Sequence, residues 1–470
     1  MTYIQAHCRA GYMSRRGTRA LADHAISENR AVQAQLNRLA KLSPGADVLG
    51  LERITRLLET IGNPHLSLPP VFHVAGTNGK GSTCAFLRAG LEADGRSVHV
   101  YSSPHLVRFN ERIRLNGKLV SDKLLAATLK RVLDAGGKIG ASFFEVTTAA
   151  AFLLFAEHPA DACIIEVGLG GRLDATNVIP NPAVCGIASL GIDHDAFLLA
   201  PEPGVPTNPL CRIAFEKAGI AKRGVPLVTM RYPPAVAATI AKHAAQIGAR
   251  WQPMGNLWDA AVYREHLHYR DARGRLEAPL PRLPGHHQAM NAALAIAMLR
   301  HQSALPVSES ALKALPLWAT WPGRLQQLTE GPLLERINTG HGKRPVWLDG
   351  GHNPDAGNIL AHFFDAWRLQ GQKLALIIGM LENKDLKGFL TPLHRIIGHI
   401  HAVPVVGHAS HGIKPYRTLA SSWGIGFTAH DTLLEAADHV ASRVSAEPVL
   451  ICGSLYNAGE VLRLNQQLPD

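Results

Sequence analysis

The spacing of apolar positions changes several times along the chain, and each change predicts an element. Apolar residues recur every three or four positions from Ala31 to Leu42 and from Gly50 to Ile61, a helical pattern that Asn63-Pro64 breaks. Val71, Phe72 and Val74 read as a short buried strand, and Cys84, Ala85, Phe86, Leu87 and Ala89 as the helix after it. The pattern then predicts a strand from Ser97 to Ser102, helices from Ser121 to Ala135 and from Phe143 to Glu157, and strands at Cys163 to Val167 and Ala183 to Leu190. RIAFEKAGI, Arg212 to Ile220, is helical, and polar–apolar alternation from Leu257 to Leu280 around Ala272 to Arg275 predicts a hairpin. Helices from His287 to Gln302 and Ser308 to Leu315 lead to WATWPG, Trp318 to Gly323, where a proline and a glycine interrupt the pattern. Beyond it strands and helices alternate again: Val346 to Leu348, Pro354 to Leu369, Leu374 to Ile378, Leu386 to Ile397, Ala402 to Val406, Thr432 to Ser445 and Val449 to Cys452.

This order predicts an α/β protein with an N-terminal P-loop-type, mostly parallel sheet domain over 31–320 and a smaller C-terminal Rossmann-like α/β domain over 321–470. A chain of 470 residues exceeds what one core covers, which fits two domains. Residues 1–30 form a basic, loose arm: Arg9, Arg15, Arg16 and Arg19 occur without an acid through residue 22. An organelle transit peptide, a bacterial extension and a misplaced start codon would all look like this. The longest apolar run, Val146 to Ala156, is about half a membrane span and lies between Glu145 and Glu157, so a buried helix is expected and no membrane partner. Cys8, Cys84, Cys163, Cys185, Cys211 and Cys452 show no CxxC pairing, as expected of reduced core thiols in a cytoplasmic protein. The net charge of +11 is spread without a basic block, which argues against nucleic acid. It suits small polyanions such as ATP and polycarboxylates, or simply a solvated surface.

Candidate chemistry concentrates in VFHVAGTNGKGST, residues 71–83, a glycine-rich turn between strand and helix. Gly76, Gly79 and Gly81 let the backbone of Thr77 and Asn78 approach an anion, and the helix N-terminus adds partial positive charge. Lys80 can then reach the outer phosphates while the Ser82 or Thr83 hydroxyl holds magnesium. The usual phosphate-loop spacing is altered, since Gly81 separates Lys80 from Ser82 and Val74 takes the first glycine position. Glu166 ends a buried strand before GLGGRLDATNVI, which places a magnesium-seeking carboxylate beside the loop. Asp193-His194, with Glu216 and Lys217 on the helical stretch, suggests a second cation site. The loop SSPHLVRFNERI, Ser102 to Ile113, is both apolar and charged, unlike an idle connection.

In order, the motifs are GTNGKGS at Gly76 to Ser82, YSSPHLVRFNERIR at Tyr101 to Arg114, IIEVGLGGRLDATNVI at Ile164 to Ile179, and DH at Asp193-His194. FEKAGI at Phe215 to Ile220, PGR at Pro322 to Arg324, DGGHNPDA at Asp349 to Ala356, GMLENKD at Gly379 to Asp385 and CGS at Cys452 to Ser454 follow. From Leu51 onward the chain resembles the folylpolyglutamate synthase and dihydrofolate synthase family, within the wider Mur-ligase group. The resemblance implies an ATP-dependent amide ligase that joins L-glutamate to dihydropteroate or a reduced folate through an acyl phosphate. It implies two magnesium sites, with Lys80 on the phosphates, Ser82 and Glu166 at one metal, His194 helping to hold the other, and Lys217 matching a carbamylated lysine. Asn291 and Arg324 match nucleotide-contacting positions, Asp349 and His352 lie where the second domain closes over ATP, and Ser142 and Phe144 match a pterin-binding neighbourhood. A monomer is expected. Two departures stand out: the stretch between His194 and Lys217 is lengthened by Pro201 to Pro209, and the second-domain histidine sits in GGHNP where alanine often precedes it. A Mur-type ligase of cell-wall precursors would share the loop and the lysine but lack SSPHLVRFNERI. A non-catalytic nucleotide switch would not need Glu166, His194 and Lys217 together.

Overall fold

The computed structural model describes residues 25–42, 49–339, 343–443 and 447–470. The arm predicted over 1–30 falls mostly outside these residues, as does Cys8; within it, Asn29 caps a helix that starts at Arg30 (Arg30–Leu39). An eight-stranded sheet runs in the order Lys118–Leu119, Ile113–Leu115, Val98–Tyr101, Ala162–Glu166, Val71–Ala75, Val184–Ile187, Pro226–Thr229, Arg250–Pro253. Its pairing is parallel except at the edge that Ile113–Leu115 and Lys118–Leu119 form. The central strands, VFHVA and ACIIE, are buried along their whole length because helices cover both faces, so they are apolar except for His73, whose ring lies 2.8 Å from the Thr176 hydroxyl, and the terminal Glu166.

Those helices account for the apolar stretches of the sequence. Phe143–Glu157 buries nearly every residue from Phe143 to Phe155, and His286–His301 buries Ala289 and Ala292 to Leu299 against the opposite face. A helix apolar all round has to be buried, and among the described residues no helix is long and apolar enough to cross a membrane. Cys84, Cys163, Cys185, Cys211 and Cys452 are buried free thiols. The stretch predicted as a hairpin is a three-stranded antiparallel sheet, Trp258–Tyr263, His266–Asp271 and Gly274–Pro279.

A second, six-stranded sheet follows in the order Gln326–Leu328, Val346–Leu348, Val449–Cys452, Leu374–Ile378, Ile397–Ala402, Gly426–Ala429. All its pairs are parallel except the first. Here the structure departs from the helix expected over Leu386 to Ile397 and the strand over Ala402 to Val406. The helix is Leu386–Leu390 and the strand is Ile397–Ala402. Pro392 explains the early stop, because a proline nitrogen cannot donate and its ring crowds the preceding turn. The expected helix Thr432 to Ser445 is Leu433–Ser442, with Thr432 as its cap.

The two sheets are joined by more than the connecting chain. Leu106 and Val107, from the loop after Val98–Tyr101, pack against the core of the second sheet. Helix Leu455–Leu464 lies so close over that loop that a Cβ on Gly459 would sit 1.9 Å from the Leu106 carbonyl oxygen. Backbone on backbone cannot yield as a flexible side chain can. Gly459→Ala is therefore expected to destabilise the protein by about 1–3 kcal/mol and to lower its activity, which urea denaturation alongside an activity assay would show.

Candidate active site

Parallel strands deliver their carboxyl ends to one rim, and three neighbours in the first sheet do so here. Val74 pairs with Glu166 and Ala75 with Ile187, so Val167, Ala75 and Ile187 stand side by side at the rim. After Ala75 the chain turns through Gly76 to Gly79 into helix Lys80–Ala93. Gly79 adopts φ 82°, and a Cβ there would lie 2.5 Å from Asn291 Oδ1, so only glycine lets Asn291 approach. Gly81 has the aromatic ring of Trp321 against it, at 2.7 Å from where a Cβ would stand. The N–H groups of Lys80, Gly81 and Ser82 precede the first helical bond, from Thr83 N–H to the Gly79 carbonyl at 2.9 Å, and so form an anion-binding helix end. Thr77 N–H is not part of this cradle, because it donates to the Ser189 carbonyl at 2.8 Å. Lys80 Nζ folds back on the loop and donates to the carbonyls of Gly76 and Thr77 at 3.0 and 3.3 Å.

Glu166 is buried at the strand end and accepts the Ser103 N–H at 3.3 Å. Burial raises its pKa, opposed by the charge of Lys80 and then by the Ser103 hydrogen bond, Arg324 and Arg112. A buried carboxylate with so little internal compensation, beside the Ser82 helix end, suits a hard cation with oxygen ligands. Lys217, on helix Pro209–Ala218, is 5 % exposed. Burial first, then the charge of Lys80, lowers its ammonium pKa to about 7, while Asp193, Asp174 and Glu216 pull the other way. Lys80 therefore stands within electrostatic reach of both Glu166 and Lys217, and of His194. His194 has left-handed backbone (φ 57°) and keeps one side on solvent. The protein around it, then Lys384, still pushes its pKa down, so the imidazole is neutral.

The residues sequence reasoning placed at a second cation separate in two. Glu216 belongs to an arginine cluster, paired with Arg172 at 2.9 Å and Arg212 at 3.0 Å, and is fully committed there. Glu202, from the proline-rich stretch, bridges the same two arginines at 2.6 and 2.8 Å, which gives that longer segment a structural task. Asp193 instead faces the second sheet. Lys384 Nζ donates to it at 2.5 Å, Asn353 Nδ2 at 3.3 Å, and His352 Nε2 lies 3.5 Å away. Burial would raise the Asp193 pKa, but the His352 hydrogen bond and the positive charge gathered around it, that of Lys384 included, outweigh it, holding the carboxyl far below its usual range. Asn353 also exchanges hydrogen bonds with Asn78 of the phosphate loop, at 3.0 and 3.3 Å.

Arg324 and Asp349 are a buried pair of opposite charge; burial lowers the arginine pKa and raises the aspartate pKa, and each opposes the other's shift. Asp349 also accepts the N–H groups of Leu325 and Gly351, at 2.8 and 2.6 Å. Asn291 donates to Gln288 at 3.1 Å. Ser142 is held as a helix cap: its hydroxyl accepts the Glu145 N–H while the Glu145 carboxylate accepts the Ser142 N–H. The Phe144 ring lies against Gly168, where a Cβ would come within 2.3 Å of it.

Between the sheets opens a cleft of about 300 Å³ lined by Ser102, Ser103, Glu166, Trp321, Arg324 and Leu455 among others, and also by residues 467–470. Arg108 donates to the Pro469 carbonyl and Arg114 to that of Asp470. Sequence reasoning missed Trp321, Lys384 and Asn353 as parts of this site. Lys384 and Asn353 stood in motifs that follow predicted strands, the usual place for ligand-facing residues, whereas nothing in WATWPG showed that its second tryptophan faces Gly81.

No protein-family model matches the chain. It is 36% identical over 418 residues to the dihydrofolate synthase/folylpolyglutamate synthase of Escherichia coli, spanning 88% of this chain and 91% of that protein. The solved structure of E. coli FolC in complex with DHPP and ADP superposes with a TM-score of 0.79 at 34% identity, over 92% of this chain and 97% of that one. The Yersinia pestis bifunctional folylpolyglutamate synthase/dihydrofolate synthase with Mn, AMPPNP and L-glutamate bound gives 0.77 at 31%, over 92% and 97%.

Glu166→Gln separates a structural role from a chemical one. A carboxyl whose folded pKa is raised stabilises the fold only below that pKa, and its ionised form costs stability above it. Glutamine keeps the acceptor for Ser103 N–H, so the variant is expected to be as stable as the parent or more so at neutral pH. Its ligase rate should nonetheless fall by about 100-fold or more, as thermal melting and phosphate release would establish.

Proposed function

The chain belongs to the dihydrofolate synthase/folylpolyglutamate synthase family, and from that premise we propose how its own residues carry out the reaction. It is an ADP-forming ligase that joins L-glutamate to a folate-type carboxylate at the expense of ATP, and it uses a divalent metal. The cell-wall ligase and the nucleotide switch are set aside by the same kinship. The observation that carries the assignment of roles is the convergence of the buried Glu166, the near-neutral Lys217 and the neutral His194 on the single charge of Lys80.

A carboxylate and an amine do not condense in neutral water because hydroxide leaves poorly. In this reading a carboxylate oxygen of the acid attacks the γ-phosphorus of ATP and ADP departs. The glutamate amine then attacks the acyl carbon and phosphate leaves. The protein has to position the reactants and neutralise charge. Lys80 and the N–H groups of Gly81 and Ser82 hold the phosphates, with Gly76, Thr77, Asn78 and Gly79 shaping the loop. Ser82 and Glu166 hold one magnesium ion, and His194 with carbamylated Lys217 the second; the ions supply charge neutralisation on the transferring phosphoryl group. Asn291, Arg324, Asp349 and His352 contact nucleotide, while Phe144 flanks the pterin and Ser142 shapes its neighbourhood by capping the helix that carries it. The acid enters the cleft beside Ser103 and Glu166. The boundary near residue 320 serves as a hinge, and Asp193 with Lys384 and Asn353 forms the latch that excludes water from the acyl phosphate.

The amine's surroundings support carbamylation. Only a neutral amine adds carbon dioxide, forming a carbamate and releasing a proton, and a pKa of about 7 leaves roughly half of Lys217 neutral at that pH. Below pH 7 the ammonium dominates and addition stops. In buffer depleted of carbon dioxide, activity is expected to rise on addition of bicarbonate, and more at pH 8 than at pH 6. Lys217→Ala should be inactive and partly rescued by acetate or formate; full activity without rescue would remove the lysine from the scheme. Lys80→Ala should lose about 100-fold or more in kcat, since it is the Lys80 ammonium that folds back over the loop. Phosphate release with dihydropteroate plus glutamate, compared with tetrahydrofolate plus glutamate and with nucleotide-linked muramyl peptides, would show which condensation the enzyme performs; turnover with the last alone would overturn the folate reading.

A further inference from the structure

The second sheet carries a cluster of side chains that the ligase chemistry leaves unused. His399 and His401 point to one face of strand Ile397–Ala402, two residues apart. His430 follows the neighbouring edge strand Gly426–Ala429, and His439 comes from helix Leu433–Ser442. The His401 ring centroid lies 5.3 Å from that of His430 and 5.1 Å from that of His439, which are themselves 5.2 Å apart. One nitrogen from each of these three rings lies within 4.8 Å of the others. These strands form the far edge of the sheet, two to four positions from Val346–Leu348 and Val449–Cys452.

Histidines are seldom gathered this tightly without a shared ligand, because protonating any one of them repels the rest. Burial, then the neighbouring histidines and Arg443, pushes the His401 pKa far down, and burial followed by Arg443 lowers that of His399 to about 4, so the rings are neutral. His401 is fully buried. Its Nδ1 lies 3.1 Å from His430 Nε2, but its Nε2 has no hydrogen-bond partner among the described residues. An ion held between His401 Nδ1 and His430 Nε2 would take over that contact, while the unpartnered Nε2 stands on the other side of the ring and is not part of the site. His399 is excluded from the ligand set, because Arg443 Nη1 lies 2.7 Å from its Nδ1.

We propose that His401, His430 and His439 form a binding site for a divalent transition-metal ion of the zinc type, separate from the ions that act on ATP. Three nitrogens about 2.1 Å from a tetrahedral ion stand roughly 3.4 Å apart. The His401–His430 pair is already that close, and the third ring needs only a small rotation. Water completes the coordination. Imidazole ligands select zinc, copper, cobalt or nickel over magnesium, whose ligands are oxygens. The ion ties helix Leu433–Ser442 to the sheet edge, so its work is structural. Burial, then His439, lowers the His430 pKa, while acidic Glu435 and Asp431 oppose the shift.

The test uses the whole protein stripped of metal by chelator and titrated with Co²⁺ or Zn²⁺ alone, with excess Mg²⁺ present and no nucleotide. One equivalent is expected to bind, with visible Co²⁺ absorption of tetrahedral strength and a rise in melting temperature. His430→Ala and His439→Ala, both at partly exposed positions, should fold and should weaken binding about tenfold or more, while ligase activity with Mg²⁺ persists. His401→Ala serves as a third variant whose binding is read only if it melts cooperatively. Binding of the same strength in the His430 and His439 variants, displacement of the ion by Mg²⁺, or no binding at all would each overturn the proposal.

Discussion

The arrangement depends on a single carboxylate held between two domains. Asp193 leaves the first sheet at a strand end, and Lys384, His352 and Asn353 reach it from loops at the strand ends of the second. Its pKa stays far below the usual range although burial opposes that, so the electrostatic attraction exceeds the desolvation it must overcome. Asn353 takes part in two contacts at once, to Asp193 and to Asn78 of the phosphate loop. The second sheet's loops are thereby tied directly to the glycine-rich turn, without a separate relay.

The same rim gathers groups that burial disfavours. Glu166 is harder to ionise than a free carboxyl, and Lys217 is harder to protonate than a free amine. A fold selected for stability alone would place apolar side chains in these positions. What the burial provides instead is a pair of groups whose charge answers to what lies beside them: Lys80 opposes the rise at Glu166 and adds to the fall at Lys217. The fold tolerates Glu166 because the strands around it are otherwise mostly apolar and buried along their length.

Much of this was legible in the chain. Strand, glycine turn and helix at residues 71–93 could be read from period and punctuation, as could the strand ending at Glu166, because buried parallel strands are short continuous apolar runs. What could not be read were elements that are short, or that bury little of their length. Pro226–Thr229, Pro234–Ile247 and Arg250–Pro253 were passed over, since the last is an edge strand with little burial and the helix buries only three residues. Ile397–Ala402 was misread because two histidines interrupt its apolar run. Glu216 was misassigned for another reason: it sits beside Lys217 in sequence, yet adjacent residues on a helix point about 100° apart, and Arg172 and Arg212 claim it. Long-range partners of a charge leave no trace in local spacing.

The loop from Ser102 to Ile113 shows how one segment can answer to both domains. Its Glu111 carboxylate accepts the N–H groups of Leu106, Val107 and Arg108 at 2.8, 3.0 and 2.6 Å, curling the backbone so that Leu106 and Val107 project into the second domain's core. At the other end Ser103 N–H reaches Glu166. Between these lie only a few residues, so the contact that anchors the second domain and the one that orients the buried carboxylate are mechanically one piece. Acidic and apolar residues are interleaved here because the loop must satisfy a carboxylate with its backbone while burying its leucine and valine elsewhere. A purely polar loop could do the first alone, and a purely apolar one the second.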